Sequence, residues 1–176
     1  MDLKERTVKV NYVYQGKIVN LRCDDAALPD GRPCKREMVE HPGGASVLCV
    51  YKGKVALVRQ FRYAYQEELL EIPAGKLEKG EDPMLAAKRE LEEETGLVAS
   101  ELKPLFTLYP TPGYTNEKIY IYEASGVTLG KQHLDEGEFL NVVFLPVEEV
   151  ARMIERGEIR DAKTIVAVQS YLLKNK

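Results

Sequence analysis

Residues 75–97 read GKLEKGEDPMLAAKRELEEETGL, and this stretch decides the fold. Asp82 is a good N-cap, Pro83 occupies the first helical position, where its missing N–H costs nothing, and Gly96 is placed to end a helix in a left-handed turn. The spacing predicts a helix of about three turns between them. Met84, Ala87 and Leu91 recur at helical spacing as a stripe for burial, while Glu90, Glu93 and Glu94 stand at i, i+3 and i+4 and share one face. Like charges that close repel by roughly a few tenths of a kcal/mol per exposed pair. Two readings are open: a solvated acidic face, or hard oxygen ligands for Mg2+ or Mn2+, to which Glu81 adds a further carboxylate.

The full spacing decides between them. Gly75 is followed after five residues by Glu81, then after seven by Arg89-Glu90-Leu91, one residue, Glu93-Glu94, one residue, and Gly96-Leu97. Seven fixed residue types at about one in twenty each match by chance on the order of 10^-9 times per starting position. A phosphate-cradling P-loop shares the Gly75 and Gly80 spacing. It needs Lys and Ser or Thr next, whereas Glu81 and Asp82 follow and would repel a phosphate. The pattern resembles a complete Nudix box.

At 176 residues, with 44% hydrophobic and 30% charged, the chain has the size and composition of one globular domain with a small appendage. Its net charge of -3 argues against a sequence-independent nucleic-acid binder, which usually displays a basic stripe, so no nucleic-acid partner is expected. Cys23, Cys34 and Cys49 are odd in number and fit no metal-ligand spacing. A reduced, cytoplasmic chain is therefore expected. The start MDLKERTVKV lacks the apolar core of a signal peptide, and no apolar run reaches membrane-spanning length.

Along the chain, VKVNYVYQGKIV (8–19) reads as two β-rich runs around Gln15-Gly16, and residues 20–40 add another strand around the Pro29-Asp30-Gly31 turn. This gives an N-terminal β module, 1–42, set off by His41-Pro42-Gly43-Gly44 from a main domain, 43–176. A few strands rarely stand alone, so the module is expected to pack on the main domain or on a second subunit. Tyr12 and Tyr14 are read as sharing a face, as core or as a platform for a base. His41 reads as structural. KVALVRQFRY (54–63) is a strand whose late basic residues, Arg59 and Arg62, are either a solvated edge or an anion clamp. ELLEIP (68–73), residues 102–109, KIYIYE (118–123) and residues 141–145 read as further strands. YPTPGYTNE (109–117) reads as a stiff loop, residues 126–138 as a polar loop, and 147–156 and 162–173 as closing helices. The order implies an α+β fold, an α/β/α sandwich.

The resemblance extends beyond the box. GASVLCVY, VRQFRYAY, LLEIPAGKLEKGE, PTPGYTNE and DAKTIVAVQSYLL are similar to the ADP-ribose pyrophosphatase branch of the Nudix hydrolases, as is Pro112, sixteen residues beyond Gly96. It implies a Nudix-type α/β/α sandwich and hydrolysis of ADP-ribose to AMP and ribose 5-phosphate. Another NDP-sugar such as GDP-mannose, or a non-catalytic nucleotide sensor, stands as the alternative. It implies Glu90, Glu94, Glu93 and the Ala74 carbonyl as ligands of two or more Mg2+ or Mn2+ ions, and Arg89 as their orienting cation. Arg62 and Glu71 fall on substrate-contacting positions, with Arg59 beside them, Pro112 at the terminal ribose, and Tyr12 as the base-stacking candidate. Glu136 falls on the position of the general base, Glu138 follows two residues on, and both are otherwise solvated acids. A homodimer that exchanges the N-terminal module is implied as well.

Overall fold

A computed structural model describes residues 2–175. Its elements run β1 (Arg6–Lys9), β2 (Tyr12–Gln15), β3 (Asn20–Ala27), β4 (Pro33–Glu40), β5 (Gly44–Leu48), β6 (Val50–Tyr51), β7 (Lys54–Arg62), β8 (Glu67–Glu71), β9 (Ala74–Lys76), α1 (Pro83–Thr95), β10 (Leu97–Leu108), β11 (Ile119–Leu129), β12 (Leu140–Pro146), α2 (Val147–Glu155) and α3 (Ala162–Lys174). Two compact units result. One holds the chain up to Gly43 with Tyr109–Lys118, and the other holds Gly44–Leu108 and everything from Ile119.

In the first unit β3 is central. β4 pairs along its length, and β1 and β2 pair with its two halves on the other side. Asn11 makes that break: its N–H goes to Asp24, its side-chain amide to the Cys23 carbonyl and Asp25, and its carbonyl accepts from Cys23. The predicted turn at Gly16 is present, closed by Gly16 N–H to the Val19 carbonyl at 3.0 Å. Residues 17–19 therefore form the turn rather than strand. The segment read as one strand around Pro29-Asp30-Gly31 is the β3–β4 hairpin, with Gly31 at φ 88° in the left-handed region. Tyr109–Lys118 joins this unit through Val39 N–H to the Tyr114 carbonyl (2.7 Å) and Asn116 N–H to the Val39 carbonyl (3.2 Å).

Strand alternation builds the second unit. On β5, Ala45 and Val47, with Cys49 just beyond its end, pack with Ala86, Ala87 and Leu91 of α1, while Leu48 faces the opposite core with Val147 and Val150 of α2 and Ala167 and Val168 of α3. β7 divides the same way, with Ala56 on the first side and Val55 and Leu57 on the second, and so does β11 with Tyr122 and Ile121. Helices thus cover both faces of the strands, the α/β/α order expected. Strand order is β10-β11-β5-β9 in one sheet and β12-β7-β6, with β8 on β7, in the other; the β11–β5 pair is parallel. β11 runs on to Leu129, three residues past the Gly126 at which a loop was expected. β9, three residues long, is too short to show any alternation in the sequence. Among the described residues no helix is long and apolar enough to cross a membrane.

Candidate active site

The helix α1 forms as its caps dictate. Asp82 accepts from the N–H groups of Met84 (2.9 Å) and Leu85 (3.1 Å), and Gly96 at φ 69° donates to the Glu92 carbonyl. The buried face carries Ala86, Ala87 and Leu91, and also Glu90 and Glu94. Two carboxylates one turn apart are therefore turned inward, which an ordinary solvated acidic face avoids.

Arg89 gathers the rest. Its guanidinium binds Glu81 through Nε at 3.0 Å and Nη2 at 3.2 Å, and its Nη1 donates to Glu90 at 2.8 Å and Glu93 at 2.9 Å. Glu81 is held below the usual carboxylate range by Arg89. β9 lies against the same group: a Cβ placed on Gly75 would stand 1.8 Å from Glu90 Oε1, so any side chain there would displace the carboxylate.

Glu94 is left without a cation of its own. It is 1% exposed, its Oε2 accepts from the Ala74 N–H at 2.9 Å, and its buried Oε1 has no partner among the described residues. Burial pushes its carboxyl up to about 8, with the charges of Glu90 and Glu138 adding to the effect. Glu90 is raised as well, by burial first. No three acidic, His or Cys side chains among the described residues converge as a ready ligand cage, since Arg89 holds Glu90 and Glu93. The donor chemistry nonetheless fits a hard divalent cation, with hard oxygens only, one of them buried and unpartnered.

Arg62 and Glu71 meet directly. Nε and Nη2 of Arg62 donate to the two oxygens of Glu71, both at 2.6 Å, and Glu71 is 1% exposed. Its carboxylate faces Arg62 and Lys163 rather than solvent. Burial opposes its ionisation, but the Arg62 hydrogen bonds and the Lys163 charge outweigh that and hold it at about 2. Arg59 borders a groove of about 370 Å³ with Phe61, Glu68, Glu138 and Phe139. Tyr12 and Pro112 belong to the first unit. Tyr12 is exposed beneath Arg22 with its hydroxyl toward Glu40, and a bulge between it and Tyr14 shifts their register, so neither is core.

The loop after β11 is tied to the end of α1. Gly130 N–H reaches the Gly96 carbonyl (2.6 Å), Gln132 Nε2 the Glu94 carbonyl (2.7 Å), and His133 N–H the Glu93 carbonyl (3.0 Å), satisfying carbonyls a helix end leaves open. Farther along, Glu138 N–H closes a turn onto the Asp135 carbonyl at 3.0 Å. Glu136 is exposed at the apex of that turn, while Glu138 is half-buried and its charge reaches Glu90 and Glu94. Of the two loop glutamates, Glu138 is the one within Coulombic reach of Glu90 and Glu94. Sequence reasoning missed Gln132 and Lys163: polar residues on a loop and in a helix carry no periodic signal.

Residues 40–168 match the Nudix domain model. The chain belongs to the Nudix family. It is 41% identical over 175 residues to an ADP-ribose pyrophosphatase of Bacillus subtilis, covering 98% of this chain and 95% of the relative. It is 40% identical to a methanol dehydrogenase activator of Bacillus methanolicus, covering 97% and 94%. A solved structure of an ADP compounds hydrolase superposes with a TM-score of 0.84 at 22% identity over 99% of this chain and 95% of that one, which establishes the Nudix fold.

Proposed function

We propose that this Nudix hydrolase cleaves the pyrophosphate of ADP-ribose to AMP and ribose 5-phosphate with Mg2+ or Mn2+, two or more ions per site. The observation that carries it is Glu94: a carboxylate 1% exposed with an unpartnered oxygen, beside Glu90 on the box helix, has no purpose in an apolar core. Glu90, Glu93, Glu94 and the Ala74 carbonyl would hold the metal. When bound, a divalent cation neutralises the diphosphate oxygens and acidifies a water. Arg89 keeps Glu90 and Glu93 in one orientation through its two bonds. Arg62 spends two nitrogens on Glu71 and keeps Nη1, without a partner among the described residues, for a substrate oxygen. Glu138 takes the proton of the attacking water, because carboxylates that hold metal are poor bases while doing so. The groove beside Arg59 has Glu138 in its lining and suits one end of the nucleotide sugar.

A panel of ADP-ribose, ADP-glucose, GDP-mannose, diadenosine polyphosphates and dNTPs tests the reading. Preferential release of AMP from ADP-ribose is expected, and faster cleavage of GDP-mannose or a dNTP would overturn it.

The N-terminal sheet is proposed to form a homodimer, since Val8, Tyr12, Val13 and Tyr14 present apolar surface with nothing over it within the unit. Sedimentation is expected to report about twice 19.9 kDa, and a monomer at micromolar concentration would refute the dimer. Three free cysteines fit a reducing cytoplasm.

A further inference from the structure

The C-terminal helix places a lysine in the core next to Glu71. Lys163, in the first turn of α3, is 7% exposed; its Nζ bonds the Glu71 carboxylate and lies 2.9 Å from Asp161 Oδ1. A buried ammonium is costly unless fully paired, so a core position that needs only volume would hold a leucine or methionine instead. Around it the chain closes a neutral set of four charges, Arg62 and Lys163 against Glu71 and Asp161. Thr164 Oγ1 accepts from the Ile72 N–H at 2.8 Å and donates to Asp161 at 2.5 Å, which pins the start of α3 to the residue after Glu71.

The Thr164–Ile72 bond and the packing of Ala167 and Val168 with Leu70 and Ile72 fasten α3 beside β8 without Lys163. Two further features point to the site. Arg62 is not consumed by the network: its side chain is 39% exposed and its third guanidinium nitrogen is unpartnered among the described residues. Lys163 and Arg62 also both lie within Coulombic reach of Glu94. Glu71 Oε2 is shared between Arg62 Nη2 and Lys163 Nζ, so where Lys163 holds that oxygen determines where the guanidinium stands.

We propose that Lys163 is a positioning residue for the hydrolysis: by fixing the Glu71 carboxylate it sets the Arg62 guanidinium so that its free nitrogen meets the substrate diphosphate beside Glu94. This rests on the reading of the site as an ADP-ribose hydrolase. Lys163 is buried with its ammonium spent on Glu71 and Asp161, so its loss acts through the placement of Arg62, on binding rather than on the chemical step.

The experiment compares Lys163→Met, Lys163→Gln, Glu71→Gln and the Glu71→Gln/Lys163→Met double variant in the full chain. It measures KM and kcat for ADP-ribose at saturating Mg2+, and calorimetric affinity for ADP-ribose with metal chelated. Lys163→Met is expected to raise KM and weaken metal-free binding by about ten- to a hundredfold, the range for a charged hydrogen bond, with kcat within about twofold. Lys163→Gln, which keeps a donor, is expected to recover part of the loss, and the double variant to bind no worse than Glu71→Gln alone. A lowered melting temperature with KM and metal-free affinity unchanged would overturn the proposal, as would a fall in kcat alone. Wild-type chain inert on ADP-ribose would overturn the parent reading and this one with it, whereas an active wild type with unaffected Lys163 variants overturns this one alone.

Discussion

Glu94→Gln is expected to abolish turnover and, with metal removed, to make the protein more stable at neutral pH. The first effect follows from the loss of a charged ligand: metal stabilisation of the transition state is worth several kcal/mol, so at 1.4 kcal/mol per decade turnover falls roughly a thousandfold or more. The second follows from linkage. Burial raises the folded pKa of Glu94 to about 8, whereas the unfolded chain ionises near the ordinary glutamate value. Between those two values the unfolded state has released a proton that the folded state keeps, so stability falls as pH rises through this window. Near pH 7 that penalty is roughly 3 kcal/mol, and glutamine, which keeps the acceptor for the Ala74 N–H, removes it. In chelator the variant should match wild type near pH 4.5 and melt roughly 6–12 °C higher near pH 7. Near-normal activity at saturating Mg2+, or equal metal-free melting at both pH values, would rule out this role for Glu94.

The fold was legible where one physical rule acts locally. Asp82, Pro83 and Gly96 bracket α1 because capping depends on residues only a turn apart. Ala45, Val47 and Leu48 divide between two cores because strand faces alternate with no reference to distant partners. The site's acidic helix was legible for the same reason, since i, i+3 and i+4 are fixed by the helix itself.

What the sequence hid depends on long-range pairing. Asn11 splits β1 from β2 by bonding Cys23, Asp24 and Asp25, more than ten residues away, and no local propensity encodes that. Lys163 reads as an ordinary helical lysine until α3 meets Glu71, 92 residues earlier. Glu71 itself reads as a substrate contact, and its two oxygens are turned to Arg62 and Lys163. The two loop glutamates differ by a turn: the family resemblance favours Glu136, but the Asp135–Glu138 bond puts Glu136 at the apex and Glu138 at the base.

That turn yields the last prediction. Glu138→Gln is expected to lower turnover by about two to four orders of magnitude, the range for a positioned general base, while metal and ADP-ribose affinity stay nearly intact. Glu136→Gln should stay close to wild type. The loop is anchored to α1 by Gly130, Gln132 and His133, so its far end is delivered beside the helix that carries Glu90 and Glu94, and Glu138 is the half-buried acid there. Gly137, at φ 84°, sits between the two glutamates and lets the turn reverse direction, which exposes one and tucks in the other. Single-turnover rates with ADP-ribose at saturating Mg2+ separate this chemical step from binding and product release. A large loss in Glu136→Gln with Glu138→Gln near normal would move the base to the turn's apex after loop closure; little loss in either would leave Glu93, half-buried and bonded to Arg89, as the proton acceptor.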